Sequence, residues 1–320
     1  MRILTFDELS ASRDADRALV HLSSLGGTMS RRDIGIWRRR TKRFAEYVGL
    51  FAVERGTVLG QLYVLRIPYT FPDGPEVISG IASVGTRGDH GGAGIARSLL
   101  TEAHRRDREA GIRYASLWTN RSWGAHRLYE SLGYQDVYSF PWAVRLPAPH
   151  RARARRPMVR PARTSDLEDI DRLHARLAEG RLGFNTRLPG FSTTAARAGW
   201  IDPAQNLLVA HQQRRLVGYA HLDRTPRRVI CGELVATSGA VRRTLLAEVD
   251  RAAKGAPVAF QHTLVTDSPE LFRRPGFTLA PRGWYVLMGN RLGDSWTPEA
   301  AIRQFASADP RFVCLAADRF

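Results

Sequence analysis

The sequence predicts a mixed α/β protein built from two copies of one domain, and three observations carry that expectation. The first is a repeated order of elements. Residues 47–53 and 58–67 read as strands around the turn Glu54-Arg55-Gly56, and 206–210 and 217–222 read as a matching pair around Arg214-Arg215. A third strand follows each pair, at 76–84 and at 228–235, and then a helix. The second observation is the apolar face of that helix: Ile95, Leu99, Leu100 and Ala103 recur as Val241, Leu245, Leu246 and Val249, at one offset of 146 residues (241 minus 95). The third is a late landmark, in which Leu128-Tyr129-Glu130-Ser131-Leu132-Gly133-Tyr134 is echoed by Leu271-Phe272-Arg273-Arg274-Pro275-Gly276-Phe277.

Between the copies, prolines bracket a charged run without apolar periodicity, Pro147-Ala148-Pro149-His150-Arg151-Ala152-Arg153-Ala154-Arg155-Arg156-Pro157, which reads as a linker. The expected division is a first domain over 1–146, the linker over 147–157, a second domain over 158–291 and a C-terminal tail over 292–320. The second domain opens with a strand near Val159. A helix follows, signalled by a capping box of Ser165 with Glu168 and by Leu167, Ile170, Leu173 and Leu177 at helical spacing, ending at Gly180.

Composition narrows the function classes. A chain of 320 residues is long enough for two domains, and a 43% hydrophobic share is ordinary for a globular protein. No apolar run approaches the roughly 20 residues of a membrane helix, and the first 30 residues lack the apolar core of a signal peptide, so a soluble, cytoplasmic protein without membrane partner is expected. Cys231 and Cys314 make no disulfide framework and have no zinc-ligand spacing; they read as buried thiols, and no metal site is expected. The net charge of +17 is almost entirely arginine, with lysine only at 42 and 254. Such a surface either attracts nucleic acid, anionic lipid or acidic ligands, or reflects compositional bias over solvated faces. The arginines are scattered outside 31–32, 38–40 and 151–156, which favours bias, and nucleic acid is not expected as a partner. The oligomeric state stays open.

One segment carries chemistry. Residues 78–100 run from an apolar strand through Thr86-Arg87-Gly88-Asp89-His90-Gly91-Gly92-Ala93-Gly94 straight into an amphipathic helix. Small residues let a backbone approach a ligand, and a helix start aims free N–H groups and the positive dipole end at it. Alone, the pattern suits a pyrophosphate cradle and a plain tight turn about equally.

The stretch resembles motif A of the GNAT superfamily of N-acetyltransferases, Gln/Arg-x-x-Gly-x-Gly/Ala, through Gly91-Gly92-Ala93-Gly94-Ile95-Ala96. Gly91 departs from it, standing where the family has glutamine or arginine; this removes a side chain near the phosphates, which implies either weaker cofactor binding or compensation by Arg87 or Arg97. Asn120, Ala125, Leu128, Tyr129, Glu130, Gly133 and Tyr134 resemble a second signature of the family, in the right order and about 30 residues later. The resemblance covers residues 1–146 and implies two domains that each have a mixed, mostly antiparallel central sheet flanked by helices. It also implies acetyl-CoA as cosubstrate and a primary amine as acceptor. Backbone N–H groups around Val84, Gly85 and Thr86 would hold the acetyl and pantetheine groups, and Gly91, Gly92, Ala93, Gly94, Ile95, Ala96 and Arg97 the pyrophosphate. Asn120 would contact the pantetheine arm or nearby backbone.

In such a reaction the amine attacks the thioester directly, and the enzyme protonates the departing thiolate. Tyr129 is the candidate acid: a phenol of pKa near about 10 gives its proton to a thiolate of about 8.5 through a short hydrogen bond as charge develops. The competing reading is a packed tyrosine satisfied elsewhere. For the base, acidic residues, a water chain and His90 stay open. A narrower resemblance adds another: an active copy, a degenerate copy and a tail ending in phenylalanine look like the enhanced intracellular survival type, in which a terminal carboxylate acts as base, here that of Phe320. The span 292–320 is too short for the third domain of those enzymes.

The second copy has lost these features. Ala236-Thr237-Ser238-Gly239-Ala240 is too short to wrap a pyrophosphate, and Phe272 stands in the place of Tyr129. A substrate-shaping role is expected of it, with Trp37, Trp118, Trp123 and Trp142 either packed in the core or lining an acceptor cleft. The acceptor is a small-molecule or peptide amine, and the positive charge argues against polycations such as aminoglycosides. The alternative function is a non-catalytic acyl-CoA-binding or nucleic-acid-associated module.

Overall fold

The computed structural model describes residues 1–26, 30, 34–35, 48–139, 141–146, 158–183, 187, 190–197, 199, 201–225, 227–260, 276–280 and 283–314. The expected linker, Trp37, Phe272 and Phe320 lie outside them. Two mainly antiparallel sheets flanked by helices form the molecule, as the sequence predicts.

Strands β1 (Arg2–Thr5), β2 (Val48–Glu54), β3 (Thr57–Phe71) and β4 (Gly74–Thr86) form an antiparallel meander, and β5 (Tyr114–Asn120) runs parallel to β4. Helix α1 (Asp14–Leu25) covers one face of the meander. On the other face lie α2 (Ile95–Glu109) and α3 (Gly124–Glu130). The second sheet repeats the plan with β8 (Met158–Pro161), β10 (Leu207–Gln212), β11 (Arg215–Thr225), β12 (Arg228–Ala236) and the parallel β13 (Val258–Phe260); the short β9 (Leu182–Gly183) pairs instead with β3 and β16 (Phe312–Val313). Helices α4 (Leu167–Ala178), α5 (Phe191–Arg197), α6 (Pro203–Asn206) and α7 (Gly239–Ala253) belong to this half, and α8 (Pro298–Gln304) follows it.

The sheets are completed by exchange. Strand β15 (Tyr285–Arg291), from the second half, inserts between β5 and β6 (Gln135–Ser139), pairing Tyr285 with Asn120 and Arg291 with Tyr114. Reciprocally, β7 (Trp142–Arg145) from the first half inserts between β13 and β14 (Phe277–Ala280), pairing Ala143 with Phe260 and with Leu279. The two strands occupy equivalent places, so each half donates one strand to the other's sheet. A division at 147–157 separates the chain but not the sheets.

The duplicated apolar face is buried in both copies. Ile95, Leu99, Leu100 and Ala103 pack onto the first sheet, and Val241, Leu245, Leu246 and Val249 onto the second. The fit is so close that each helix needs a glycine opposite it. A Cβ on Gly60 would stand 2.6 Å from Ile95 Cγ2 and 3.2 Å from Leu99 Cδ1; one on Gly218 would stand 2.8 Å from Val241 Cγ1 and 2.9 Å from Leu245 Cδ1. The equivalent glycine thus meets the equivalent pair of helix residues. Gly60→Ala and Gly218→Ala are each expected to destabilise by about 1–3 kcal/mol through overpacking. Denaturant midpoints check this, and a neutral substitution at either site would break the equivalence.

Two expectations need correction or completion. The capping box of Ser165 with Glu168 does not form: a 3₁₀ turn, Thr164–Asp166, leads in, and Asp166 Oδ2 accepts from Arg163 N at 2.6 Å and from Arg160 Nη1 at 2.7 Å. A carboxylate two residues earlier, tied to arginine, takes the place of that of Glu168. Helix α1 had no counterpart in the sequence reading, although Asp14 and Asp16 in its first turn and left-handed Gly26 at its end mark its limits. Cys231 and Cys314 are buried and are not joined in a disulfide, as expected. Among the described residues, no helix is long and apolar enough to cross a membrane.

Candidate active site

The site begins where β4 leaves β5. Parallel pairing holds only from Ser79 with Ala115 to Ile81 with Leu117, so β4 beyond Ile81 parts from β5 while remaining paired with β3. Its departure is marked by a bulge between the pairs Tyr63 with Ala82 and Gln61 with Gly85, where Ser83 takes a φ of 50°. A non-glycine residue held left-handed is strained, and a bulge re-aims the strand. Gly85 and Thr86 are held by β3, and half-buried Val84 packs against the cluster that contains Tyr129. The expected acetyl-binding segment therefore lies on the free edge of a V-shaped opening.

The strand runs on through a 3₁₀ turn, Gly88–His90, to the start of α2. Arg87 binds Asp89 through Nε at 3.0 Å and Nη2 at 2.7 Å, and His90 Nδ1 lies 2.9 Å from the same carboxylate. Hydrogen bonds from Arg87 and then His90 hold Asp89 well below the usual carboxylate range. Arg87 is thus tied into its own loop. Gly92 and Gly94 have φ values of 78° and 77°, with nothing within 4 Å of where a Cβ would be, so glycine is required there by conformation and leaves the approach open. Gly94 caps α2 without a side-chain hydrogen bond, and Ser98 is the residue that donates back to it, at 3.0 Å. The N–H groups of Ile95, Ala96 and Arg97 precede that first helical bond and point out of the helix start. Arg97 reaches Ser131 Oγ at 2.7 Å, joining α2 to the end of α3.

The second copy has closed the same position. Ser238 caps α7 with its own hydroxyl, accepting from Val241 N at 3.3 Å. A donor that faces outward in the first copy is spent on a side chain in the second.

Tyr129 is 6% exposed, and burial pushes its phenol up to about 12. Its ring meets Tyr134 edge-on at 5.9 Å, and among the described residues its hydroxyl has no hydrogen-bond partner. Tyr134, by contrast, is spoken for, its hydroxyl lying 2.9 Å from His104 Nε2. Tyr129 and Ile95 share one cluster, so the structure brings the candidate acid and the candidate phosphate loop onto one side of the sheet. Asn120 ends β5 across the opening; its Oδ1 accepts from Ser122 N at 2.9 Å and Ser122 Oγ at 2.7 Å, shaping the turn into α3.

The opposite face holds residues that sequence reasoning missed. Ser24 Oγ of α1 stands over the Cα of Gly85, at 2.1 Å from where a Cβ would be. His21, one turn earlier, has Nδ1 3.5 Å from Gln61 Nε2, which in turn donates to Ser83 O at 3.5 Å. Burial, and then the Arg17 charge, lower the His21 pKa below its usual 6.5, so the imidazole is neutral near pH 7.

Comparison with known proteins fits this geometry. Residues 14–137 match the family model of the acetyltransferase (GNAT) domain. No curated protein sequence matches the chain. Among solved structures, a GCN5-related N-acetyltransferase from Kribbella flavida is 19% identical with a TM-score of 0.65, covering 89% of this chain and 70% of that one. A probable N-acyltransferase from Enterococcus faecalis is 10% identical with a TM-score of 0.67, over 91% and 72% of the two chains. Eis1 from Mycobacterium abscessus is 16% identical with a TM-score of 0.55, over 92% and 74%. At these identities the likeness is one of fold. Residues 14–137 therefore match a GNAT acetyltransferase domain, and the chain, with its two mainly antiparallel sheets flanked by helices, shares the fold of these GCN5-related N-acetyltransferase structures.

Proposed function

We propose that the first half transfers an acetyl group from acetyl-CoA to a primary amine by direct attack. The observation that carries this reading is the buried side chain of Tyr129, whose hydroxyl has no hydrogen-bond partner among the described residues, on the side of the sheet where β4 opens and where α2 leaves its first donors uncapped. The open helix start and the left-handed glycines suit a pyrophosphate, and the parted strand suits a pantetheine arm. The cosubstrate supplies the acetyl group as a thioester.

The chain's own residues do the rest. Gly91 to Arg97 hold the phosphates, chiefly through backbone N–H groups. Val84, Gly85 and Thr86 line the thioester, with Asn120 across the opening. Tyr129 delivers a proton to the departing sulfur. On the opposite face, neutral His21 takes the proton that the amine loses, with Gln61 and Ser24 beside it.

The test is thiol release from acetyl-CoA against a panel of primary amines. The expected result is amine-dependent release that falls at least about tenfold in His21→Asn, with acetyl-CoA affinity unchanged. Tight acetyl-CoA binding without release by any amine would sink the enzyme reading in favour of a binding module.

A further inference from the structure

The face of the first sheet opposite α2 is covered unevenly. At one end α8 and the segment 305–314 pack onto it, through Phe305 and Cys314. Toward the open end of β5, three aromatic side chains from three strands lie half-buried on this face: Tyr138 of β6, which packs on Phe312 at 4.9 Å, Trp118 of β5 across Leu287 from it, and Tyr285 of β15 at the mouth. Beyond them the rim is more exposed still. Trp123, at the start of α3, is 51% exposed and meets Tyr285 edge-on at 6.0 Å; Trp284 is 69% exposed, and its carbonyl accepts from Arg121 N at 3.0 Å. Single apolar residues scattered on a surface need no explanation, but Trp123 in contact with Tyr285, with exposed Trp284 next to it in the chain, does. This patch adjoins Asn120, which pairs with Tyr285 at the mouth of the opening.

Aromatic faces take either flat apolar groups or cations. Charge separates the two here. Of the carboxylates at this edge, Asp136 is held by Arg121 Nε at 2.8 Å and His126 Nε2 at 2.9 Å and Glu130 lies 3.5 Å from His126 Nδ1, and the protein carries a net charge of +17. A polycation would meet repulsion at long range and a neutralised carboxylate at short range. An aryl group meets ring faces and edges.

We propose that this patch is an acceptor subsite for a primary amine bearing an aromatic ring, and that the second half builds part of it by donating Trp284 and Tyr285 on the exchanged strand. The proposal rests on the acetyltransferase reading of the first half. It gives the second half a role in acceptor choice that needs no catalytic residue of its own: the ring of the acceptor is held by residues on both halves while its amine reaches the opening beside Asn120. Binding energy from a remote group positions the reacting one.

The experiment compares 2-phenylethylamine and tryptamine with propylamine and spermidine, using acetyl-CoA, in wild type, Trp284→Ala and Trp123→Ala. Both substitutions replace exposed side chains. The aryl amines are expected to exceed propylamine in kcat/KM by at least about tenfold, and the substitutions to remove most of that advantage while leaving propylamine turnover and acetyl-CoA affinity as they were. Calorimetric binding of 2-phenylethylamine to the protein loaded with CoA is measured beside it. If no amine releases thiol yet 2-phenylethylamine binds wild type and not Trp284→Ala, the subsite stands and the transferase reading falls. Spermidine preferred over the aryl amines, or turnover and binding indifferent to both substitutions, would overturn the subsite whatever becomes of the transferase reading.

Discussion

Tyr129→Phe is expected to lower kcat for acetyl transfer by about a hundredfold while leaving acetyl-CoA affinity and stability close to those of the parent. Stability should hold because the hydroxyl has no partner among the described residues to strand, and the ring keeps its place against Tyr134 and the α2 core. Activity should fall because the neighbouring phenol cannot replace the lost donor: Tyr134 is fully buried and its hydroxyl is engaged with His104. With the phenol pushed up to about 12, Tyr129 stays protonated at any working pH, so it gives the rate profile of the parent no alkaline limb below about pH 10. Stopped-flow or steady-state thiol release at saturating acetyl-CoA reads the effect directly. An unchanged kcat would mean that the leaving thiolate needs no proton from the protein, and Tyr129 would then be a packing residue.

Much of the fold was legible because its signals are local. The strand pairs, the glycine-rich loop and the apolar stripe of α2 are each contiguous in sequence, and the copies of that stripe repeat at one offset. Elsewhere the offset drifts, to 158 at the paired glycines (218 minus 60), because the segments between those glycines and the helices differ in length. The tyrosine contacts to the covering helices are not at matching places: the hydroxyl of Tyr63, three residues past Gly60, accepts from Arg17 Nη2 at 2.7 Å, and that of Tyr219, one residue past Gly218, lies 3.1 Å from His174 Nδ1.

Helix α1 was hidden by the same Arg17. An arginine on the core-facing side breaks the apolar period, yet here it is fully buried, with its guanidinium 4.4 Å from the ring of Phe6 and 4.9 Å from that of Phe51. With α1 unseen, His21 could not be placed beside the opened strand. The strand exchange was invisible for a different reason. Nothing in an apolar run such as Tyr285–Arg291 states which sheet it joins, and sequence proximity favours its own half. The aromatic patch depends on that exchange, since Trp284 and Tyr285 are more than 150 residues from Trp123 and Asn120.

The exchange also governs how the molecule comes apart, and the buried cluster around Glu233 is the place to test it. Glu233 is 1% exposed; His174 Nδ1 lies 3.2 Å from its Oε1, Arg187 Nη2 lies 2.9 Å from its Oε2, and the Tyr219 hydroxyl donates to it. Burial alone would raise its pKa, but the Arg187 charge and the His174 hydrogen bond outweigh burial and hold the carboxyl well below its ordinary 4.5. A depressed carboxylate contributes stability that is fully present above the unfolded value of 4.5 and is lost as pH falls from there through the folded value. Glu233→Ala removes that contribution at every pH and takes from the largely buried Arg187 guanidinium a counter-charge, so a loss of about 3–5 kcal/mol is expected at pH 7. Because β7 completes the second sheet and β15 the first, neither sheet can dissolve without stripping a strand from the other. The destabilised variant should therefore still unfold in one transition, with acetyl-CoA binding in the first half lost at the same denaturant concentration as the signal from the second. Two separated transitions, with the first half holding its parent midpoint, would show instead that each sheet tolerates the loss of its borrowed strand.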